Sequence, residues 1–310
     1  MLDVAIVIVT WNNASDIERC LASLAGVGKG IETQTVVIDN ASHDVTVEKI
    51  RRGYPRVQVI VNKQNVGFAA ANNQAFNGTA SRYVMLLNPD TSVDAGTIEA
   101  LVNYMDHRPD AWVAGPMILN PDRTVQRSGV RFPSLWNLLV ESLFLDRIFP
   151  KSKVFGAHKE VYRDPCEPRS VDYLQGSALM VRREALEKVG GLDEGFFMYF
   201  EETDWCFRIK QAGGDVLYAP VGSVIHFGGE AFAHFDERRL VYYHRSMLRF
   251  FRKHSTLQRA LGLRAILVVR SCIRLLIWVS IALASPSKRG QAWSSARGYQ
   301  KVLGVLFQKG

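Results

Sequence analysis

Between Phe196 and Arg208 the chain reads Phe-Phe-Met-Tyr-Phe-Glu-Glu-Thr-Asp-Trp-Cys-Phe-Arg, placing three acids among seven bulky apolar or aromatic side chains. A carboxylate held against apolar surface loses hydration, and its pKa climbs. Such a group is either neutralised by a partner or kept because a reaction needs a base. Glu201, Glu202 and Asp204 therefore pose a choice between structure and proton transfer. Asp204 has a structural role open to it, since a helix starting near Glu202 would pair it with Arg208 at i,i+4.

A second chemical signal lies further upstream. Thr10-Trp-Asn-Asn13, Asp39-Asn40 and Asn88-Pro-Asp90 each follow a short apolar run. Asn, Asp and Pro are ordinary turn formers. Three such clusters at the ends of successive strands nonetheless mark where a ligand sits in an open α/β sheet.

The elements that would carry these residues alternate in type. Val4-Ala-Ile-Val-Ile-Val-Thr10 is β-branched without alternation, the pattern of a strand buried on both faces. Ser15-x-x-Glu18 reads as a capping box ahead of a helix whose stripe is Ile17, Leu21 and Leu24. Strands follow at Thr35–Asp39, Val57–Val61 and Tyr83–Leu87, with helices at Val45–Arg52, Phe68–Phe76 and Ala95–Met105. This rhythm predicts a doubly wound, mostly parallel sheet flanked by helices. The stretch from Gln126 to Pro168 has weak periodicity and several prolines, and reads as irregular or mobile. Regular structure is expected again over Val171–Val181, in a helix at Arg183–Val189, and in strands near Val216–Tyr218 and Ser223–His226. Beyond Asp236 the pattern is helical throughout, and no internal repeat stands out.

The bulk numbers fit a globular protein of one large or two modest domains: 310 residues, 47% hydrophobic and 22% charged. Cys20, Cys166, Cys206 and Cys272 are widely spaced with no C-x-x-C, which argues against a disulfide framework or zinc site and favours a reducing cytosol. No signal-peptide pattern is expected at the N-terminus, because Asp3 sits where a basic region belongs. The net charge of +8 hides an asymmetry: residues 238–310 hold fifteen Lys or Arg and no acid, leaving a net of −7 on residues 1–237. A basic tail points to an anionic partner.

Taken in order, T-W-N-N, V-V-I-D-N, N-x-N-V-G-F-A-A-A-N-N, L-L-N-P-D, G-G-L-D-E-x-F-F-M-Y-x-E-E-T-D-W-C-x-R and V-I-H-F-G-G resemble a family 2 glycosyltransferase of the GT-A fold. The likeness is strongest to the rhamnosyltransferase-like branch and covers residues 3–255. It implies a GT-A catalytic domain over residues 1–237, with a donor half to about residue 125 and an acceptor half from about residue 170. Residues 238–310 would form a basic helical extension. The implied reaction is inverting transfer of a sugar, L-rhamnose from dTDP-rhamnose by similarity, from a nucleoside diphosphate to a hydroxyl of a saccharide acceptor. This branch often uses polyprenyl-linked acceptors in cell-envelope polysaccharide synthesis.

The resemblance also distributes roles. The second acid of the paired motif is the general base, here Glu202, where the family usually has Asp; Glu201 is the fallback. Glu201, Asp204 and Trp205 fall on the acceptor side or cap the helix. The family's acid-x-acid triplet binds Mg²⁺ or Mn²⁺ across the diphosphate; with Asn88 in its first position, Asp90 is the one direct carboxylate, completed by His226. An imidazole ligand suits Mn²⁺ better than Mg²⁺. Thr10, Asn12 and Asp39 would hold base and ribose, and Asn65, Gly67, Asn72 and Asn88 would line the donor. Gly67 would allow close backbone approach, and Gly176 would open space near the transferred sugar.

In the tail, Ala265–Ala284 is long enough to span a bilayer. Arg270 and Arg274 oppose a span at about 2.5–3.5 kcal/mol each near a helix centre. On a helical wheel Arg259, Arg264, Arg270, Ser271 and Arg274 share one side. That pattern predicts an interfacial helix with its polar face on anionic headgroups, hence a peripheral protein on the cytoplasmic face of the membrane. The same helices could instead pack on the catalytic domain or form a homodimer. Nucleic acid is disfavoured as partner, because the tail lacks interleaved aromatics. A nucleotidyltransferase lacks its Gly-rich basic phosphate loop here, and an oxidoreductase lacks G-x-G-x-x-G. A non-catalytic binding module would not need Asp90, Glu202 and His226 together.

Overall fold

The computed structural model describes residues 2–27, 30–228 and 237–308. Its contacts divide the chain into two units. The first holds the residues through Phe132, Arg163–Phe197 and Glu201–Gly228; the second holds Pro133–Tyr162, Met198–Phe200 and the C-terminal helices.

The first unit is a mixed sheet in the order β3-β2-β1-β4-β11-β6-β12-β5. Strands β1 (Leu2–Thr10), β2 (Thr33–Asp39), β3 (Gln58–Val61) and β4 (Ser81–Leu87) run parallel. Between them lie helices α1 (Ile17–Ser23), α2 (Thr46–Gly53) and α3 (Phe68–Gly78). Val4 to Ile8 are 0–1% exposed, as expected of a central strand covered on both faces. The second half adds β5 (Thr91–Val93), α4 (Thr97–Asp106), β6 (Ala111–Leu119), β11 (Ala178–Arg182), α7 (Arg183–Val189), α8 (Glu201–Gln211) and β12 (Asp215–His226). Strand β11 is antiparallel to both β4 and β6, whereas β12 is parallel to β6 and antiparallel to β5.

Three local readings are corrected. The Ser15–Glu18 capping box does not form. Helix α1 starts at Ile17; Ser15 Oγ donates to Asp16 Oδ2 at 2.8 Å, and Glu18 is drawn instead to Lys49 Nζ at 2.7 Å. The strands near Tyr218 and Ser223 are one strand, β12, whose pairing to β6 shifts register between those residues. The stretch from Gln126 to Pro168 is not irregular throughout. It contains β7 (Val125–Gln126), β8 (Gly129–Val130), α5 (Leu135–Ser142) and α6 (Leu145–Ile148), followed just beyond by β9 (Arg169–Ser170) and β10 (Tyr173–Leu174). Ser134 caps α5 by accepting from Asn137 N at 3.2 Å.

The second unit combines α5 and α6 with α9 (Glu237–His254), α10 (Leu257–Ala284) and α11 (Arg289–Phe307). Glu237 takes both Arg297 and Lys301, at 3.0 and 2.6 Å. Of the polar side that the wheel gave α10, Arg259 is exposed and Arg264 half-buried, but Arg270, Ser271 and Arg274 turn onto protein. Arg270 Nη1 lies 3.5 Å from Glu141 Oε2, Ser271 is fully buried, and the Arg274 guanidinium sits 3.8 Å over the Phe144 ring. Helices α5 and α6 thus supply the acid and the aromatic face that these cations need once removed from water. The exposed side of α10 is apolar instead, carrying Leu261, Val269, Leu276 and Leu283.

Candidate active site

Strand register assembles the polar residues along the carboxyl edge of the sheet. Thr10 and Asp39 are register partners at the ends of β1 and β2, and both are buried. Asp39 Oδ2 accepts from Ser42 N at 2.9 Å, while its Oδ1 is buried with no partner. An unpaired buried carboxylate oxygen is costly, and a ligand N–H or hydroxyl relieves that cost. Asn12, at φ 54°, ties the two loops together: its N–H donates to Ser42 Oγ and its Oδ1 accepts from His43 N, both at 2.8 Å. Thr10 Oγ1 donates to Asn13 Oδ1 at 3.3 Å.

The turn before α3 is built differently from what its glycine suggested. Asn65 Oδ1 accepts from Gly67 N at 2.9 Å, and Gly67 has φ 88°. A Cβ there would stand 2.6 Å from Phe197 O, which also accepts from Phe68 N at 2.8 Å. The close approach at Gly67 is therefore to the backbone of Phe197. Asn72, buried on α3, donates to Phe68 O at 2.8 Å and leaves its Oδ1 buried and unpartnered.

At the end of β4, Asn88 N donates to Ser177 O at 2.9 Å, which places the Gln175-Gly176-Ser177 turn beside the Asn88-Pro-Asp90 turn. Directly after that turn, Thr91 of β5 pairs with His226 of β12, and Phe227 N donates to Asp90 O at 2.8 Å. His226 Nε2 comes 3.4 Å from Asp90 Oδ1. On its other side, Nδ1 lies 2.9 Å from Gln126 Oε1. A carboxamide oxygen only accepts, so Nδ1 donates to it and Nε2 is the ring atom left facing Asp90. A histidine oriented through one ring nitrogen, with the other facing a carboxylate, is the usual metal-ligand arrangement. Gly228 leaves the space: a Cβ on it would lie 2.8 Å from His226 Nε2 and 3.3 Å from Asp90 Oδ2. Asp90 and His226 therefore fit a divalent cation. Among the described residues no third His, Cys, Asp or Glu joins them, so phosphate oxygens and water would complete the coordination.

The paired acids open α8. Tyr199 and Phe200, both at φ 69°, hold a left-handed backbone just before it, a conformation that costs roughly 1–3 kcal/mol per residue and recurs at functional sites. Glu201 is 6% exposed with Oε2 unpartnered. Burial, reinforced by the neighbouring Glu202, raises its pKa well above the carboxylate range. Glu202 is more open and is pushed up to about 7, again by burial. Its side chain lies against Gly176, where an added Cβ would make ordinary contacts of 3.7–3.9 Å. A carboxyl titrating near neutrality is suited to taking a proton from a hydroxyl.

Asp204 and Trp205 belong to the core. Asp204 is fully buried and accepts from Arg208 Nε at 2.8 Å, the i,i+4 pair expected of it. Arg208 in turn donates to Val189 O and Gly191 O. Trp205, read as touching the acceptor or capping the helix, does neither. It is completely buried, stacks on Phe76 at 5.5 Å and donates Nε1–H to Gly190 O at 2.9 Å. Together these two side chains fix α8 against the Val189–Gly191 turn and so set where Glu202 stands.

The Glycosyl transferase family 2 model matches residues 5–190. The N-acetylglucosaminyl-diphospho-decaprenol L-rhamnosyltransferase of Mycobacterium tuberculosis is 32% identical over 87% of this chain and 94% of its own. The dTDP-rhamnosyl transferase RfbF of Shigella flexneri is 23% identical over 72% of this chain and 69% of its own. The fold resembles the mannosyltransferase PcManGT from Pyrobaculum calidifontis, solved with GDP-Man and Mn²⁺, at a TM-score of 0.57 and 16% identity, covering 98% of this chain and 88% of that one. With a GT-A sheet, the family match and rhamnosyltransferase relatives, the chain is a glycosyltransferase and belongs to glycosyl transferase family 2, in its rhamnosyltransferase-like branch.

Proposed function

We propose that this enzyme transfers L-rhamnose from dTDP-rhamnose, with inversion, to a hydroxyl of a polyprenyl-linked saccharide at the cytoplasmic face of the membrane. The observation that carries the reading is the sheet edge itself, where an unpartnered Asp39 oxygen, the Asp90–His226 pair and a near-neutral Glu202 are brought in by neighbouring elements.

Asp39 Oδ1 accepts an N–H or hydroxyl of the nucleoside, with the Thr10 to Asn13 loop beside it. Asn65, Gly67 and Asn72 shape the α3 turn on the donor side, and Asn88 holds the Gly176 turn in place. A divalent cation held by Asp90 and His226 would offset the negative charge that builds on the departing diphosphate. Glu202, ionised, takes the proton of the acceptor hydroxyl while the acceptor oxygen bonds to the anomeric carbon from the face opposite the leaving group. The bond from that carbon to the diphosphate oxygen breaks, its electron pair leaving with the nucleoside diphosphate. Burial and the adjacent Glu202 both raise Glu201, which leaves Glu202, pushed up to about 7, as the acid of the pair that ionises first.

The exposed side of α10 supports a membrane location. Leu257–Ala284 has a mean hydropathy of 2.1 in its most apolar window, and only 17% of that window is buried. Lys288 and Arg289 follow directly and are exposed, as suits an anionic bilayer.

Thermal shift with dTDP-rhamnose and with UDP-, GDP- and CMP-sugars, each with Mn²⁺ or EDTA, tests donor and metal together. A donor at about 100 times its dissociation constant stabilises the fold by about 2.7 kcal/mol. A Mn²⁺-dependent shift with dTDP-rhamnose alone is expected. A shift with another sugar nucleotide instead would reject rhamnose, and an equal shift in EDTA would reject the cation.

A further inference from the structure

The segment that joins α5 to β9 exposes apolar side chains in an unusual density. Trp136 and Leu139 on α5 and Leu143 at its C-cap fall at i, i+3 and i+7 and form one exposed face. Ile148, which ends α6, and Phe149 after it are 62% and 50% exposed, and Val154 is 55% exposed. These are not loose ends. The Phe155 ring stacks on Trp136 at 6.3 Å and packs on Phe149 at 5.7 Å, and Trp136 Nε1 donates to Val154 O at 3.3 Å. The result is an ordered aromatic cluster with its apolar edges toward solvent. Folding alone does not select such a surface, since water contact with these rings is unfavourable.

Charge on the same segment is sorted by sign. Between Leu135 and Glu160 the acids are covered: Glu141 faces Arg270 at 3.5 Å and His158 at 4.0 Å, Asp146 takes Lys159 at 3.2 Å, and Glu160 is buried, whereas Asp164 and Glu167, nearer β9, are exposed. Its bases Arg147, Lys151 and Lys153 are exposed and lie within a few residues of Ile148, Phe149 and Val154. Aromatic and aliphatic tips interleaved with exposed lysines match the boundary of an anionic bilayer, where rings sit at headgroup depth and ammonium groups meet lipid phosphate.

From this we infer that the α5–α6 segment is a membrane-docking surface for anionic phospholipid, separate in sequence from the apolar side of α10. The first five or so ångströms of the acyl boundary receive Ile148, Phe149 and Val154. Lys151 and Lys153 lie on headgroup phosphates. The inference does not depend on which sugar is transferred.

Vesicle co-sedimentation of the full-length protein tests it, with phosphatidylcholine alone and with added phosphatidylglycerol. Lys151→Glu/Lys153→Glu should weaken partition onto anionic vesicles at least about tenfold while leaving partition onto neutral vesicles unchanged. Ile148→Ser/Phe149→Ser should weaken both. Circular dichroism, and transfer to a water-soluble acceptor analogue, should match wild type for both variants. Wild-type partition by either variant overturns the inference and leaves α10 as the anchor. So does a loss of self-association in Ile148→Ser/Phe149→Ser without vesicles, which would identify a second copy as the occupant. If no donor is transferred yet vesicle binding follows these residues, the rhamnosyl reading fails and the docking surface stands.

Discussion

Glu202→Gln is the most informative single change, because the substitution keeps the shape of the side chain against Gly176 and removes only its basicity. Loss of a positioned general base lowers kcat by roughly 10²–10⁴, which is about 3–5 kcal/mol of barrier. With the wild-type carboxyl pushed up to about 7, activity should fall tenfold per pH unit on the acid side of neutrality. That limb should vanish in the variant. Stability carries an independent signature. A folded-state pKa raised from the ordinary 4.5 to about 7 means the folded chain holds this proton more tightly than the unfolded one. The contribution is full below pH 4.5 and is lost as pH rises through 7. Glutamine escapes that loss, so urea unfolding should show the variant more stable than wild type at pH 8 and not at pH 4.5. The gain is bounded at about 3 kcal/mol and is smaller where Glu201 shares the titration. Donor affinity, read by calorimetry, should be unchanged. Wild-type turnover with the acid limb intact would refute the assignment and move attention to Glu201.

Three further outcomes follow from particular contacts. Asp39→Ala removes the acceptor that the nucleoside meets, so donor dissociation should weaken by roughly 1–3 kcal/mol, measured by calorimetry with kcat at saturation little changed. Gly67→Ala forces a side chain into a positive φ and into Phe197 O, and should cost about 1–3 kcal/mol in urea unfolding together with a loss of transfer. Trp205→Ala empties a fully buried site and should destabilise by about 3–5 kcal/mol; at a temperature where the variant remains folded, acceptor KM should not change selectively.

The parallel half of the sheet was written plainly in the chain. The strands β1, β2 and β4 are buried on both faces, so their apolar runs lack alternation, and the helices between them carry ordinary stripes. Register then delivers what the motifs implied, with Thr10 opposite Asp39 and Thr91 opposite His226. What stayed hidden depends on distant partners. Gln126 is 100 positions from the histidine it orients, and nothing local marks it. Gly228 was within reach, since it lies in the His226-Phe-Gly-Gly run, but its meaning appears only when Asp90 is beside it. Helix α5 escaped because its exposed face is as apolar as its buried one. Arg270 and Arg274 of α10 misled because a helical wheel shows which residues share a side and not which side meets protein. Trp205 was misplaced for a similar reason, being part of an acidic motif yet stacked on Phe76 in the core.

The measurement closest to the centre of this account is direct transfer from radiolabelled dTDP-rhamnose to a polyprenyl-linked saccharide acceptor, with Mn²⁺ or with EDTA, using wild-type enzyme and Asp90→Asn. Labelled lipid product of inverted anomeric configuration, formed by the wild type with Mn²⁺ and reduced at least tenfold in EDTA and in the variant, is expected. Transfer from a different sugar nucleotide, retention of configuration, or undiminished product in EDTA would contradict it.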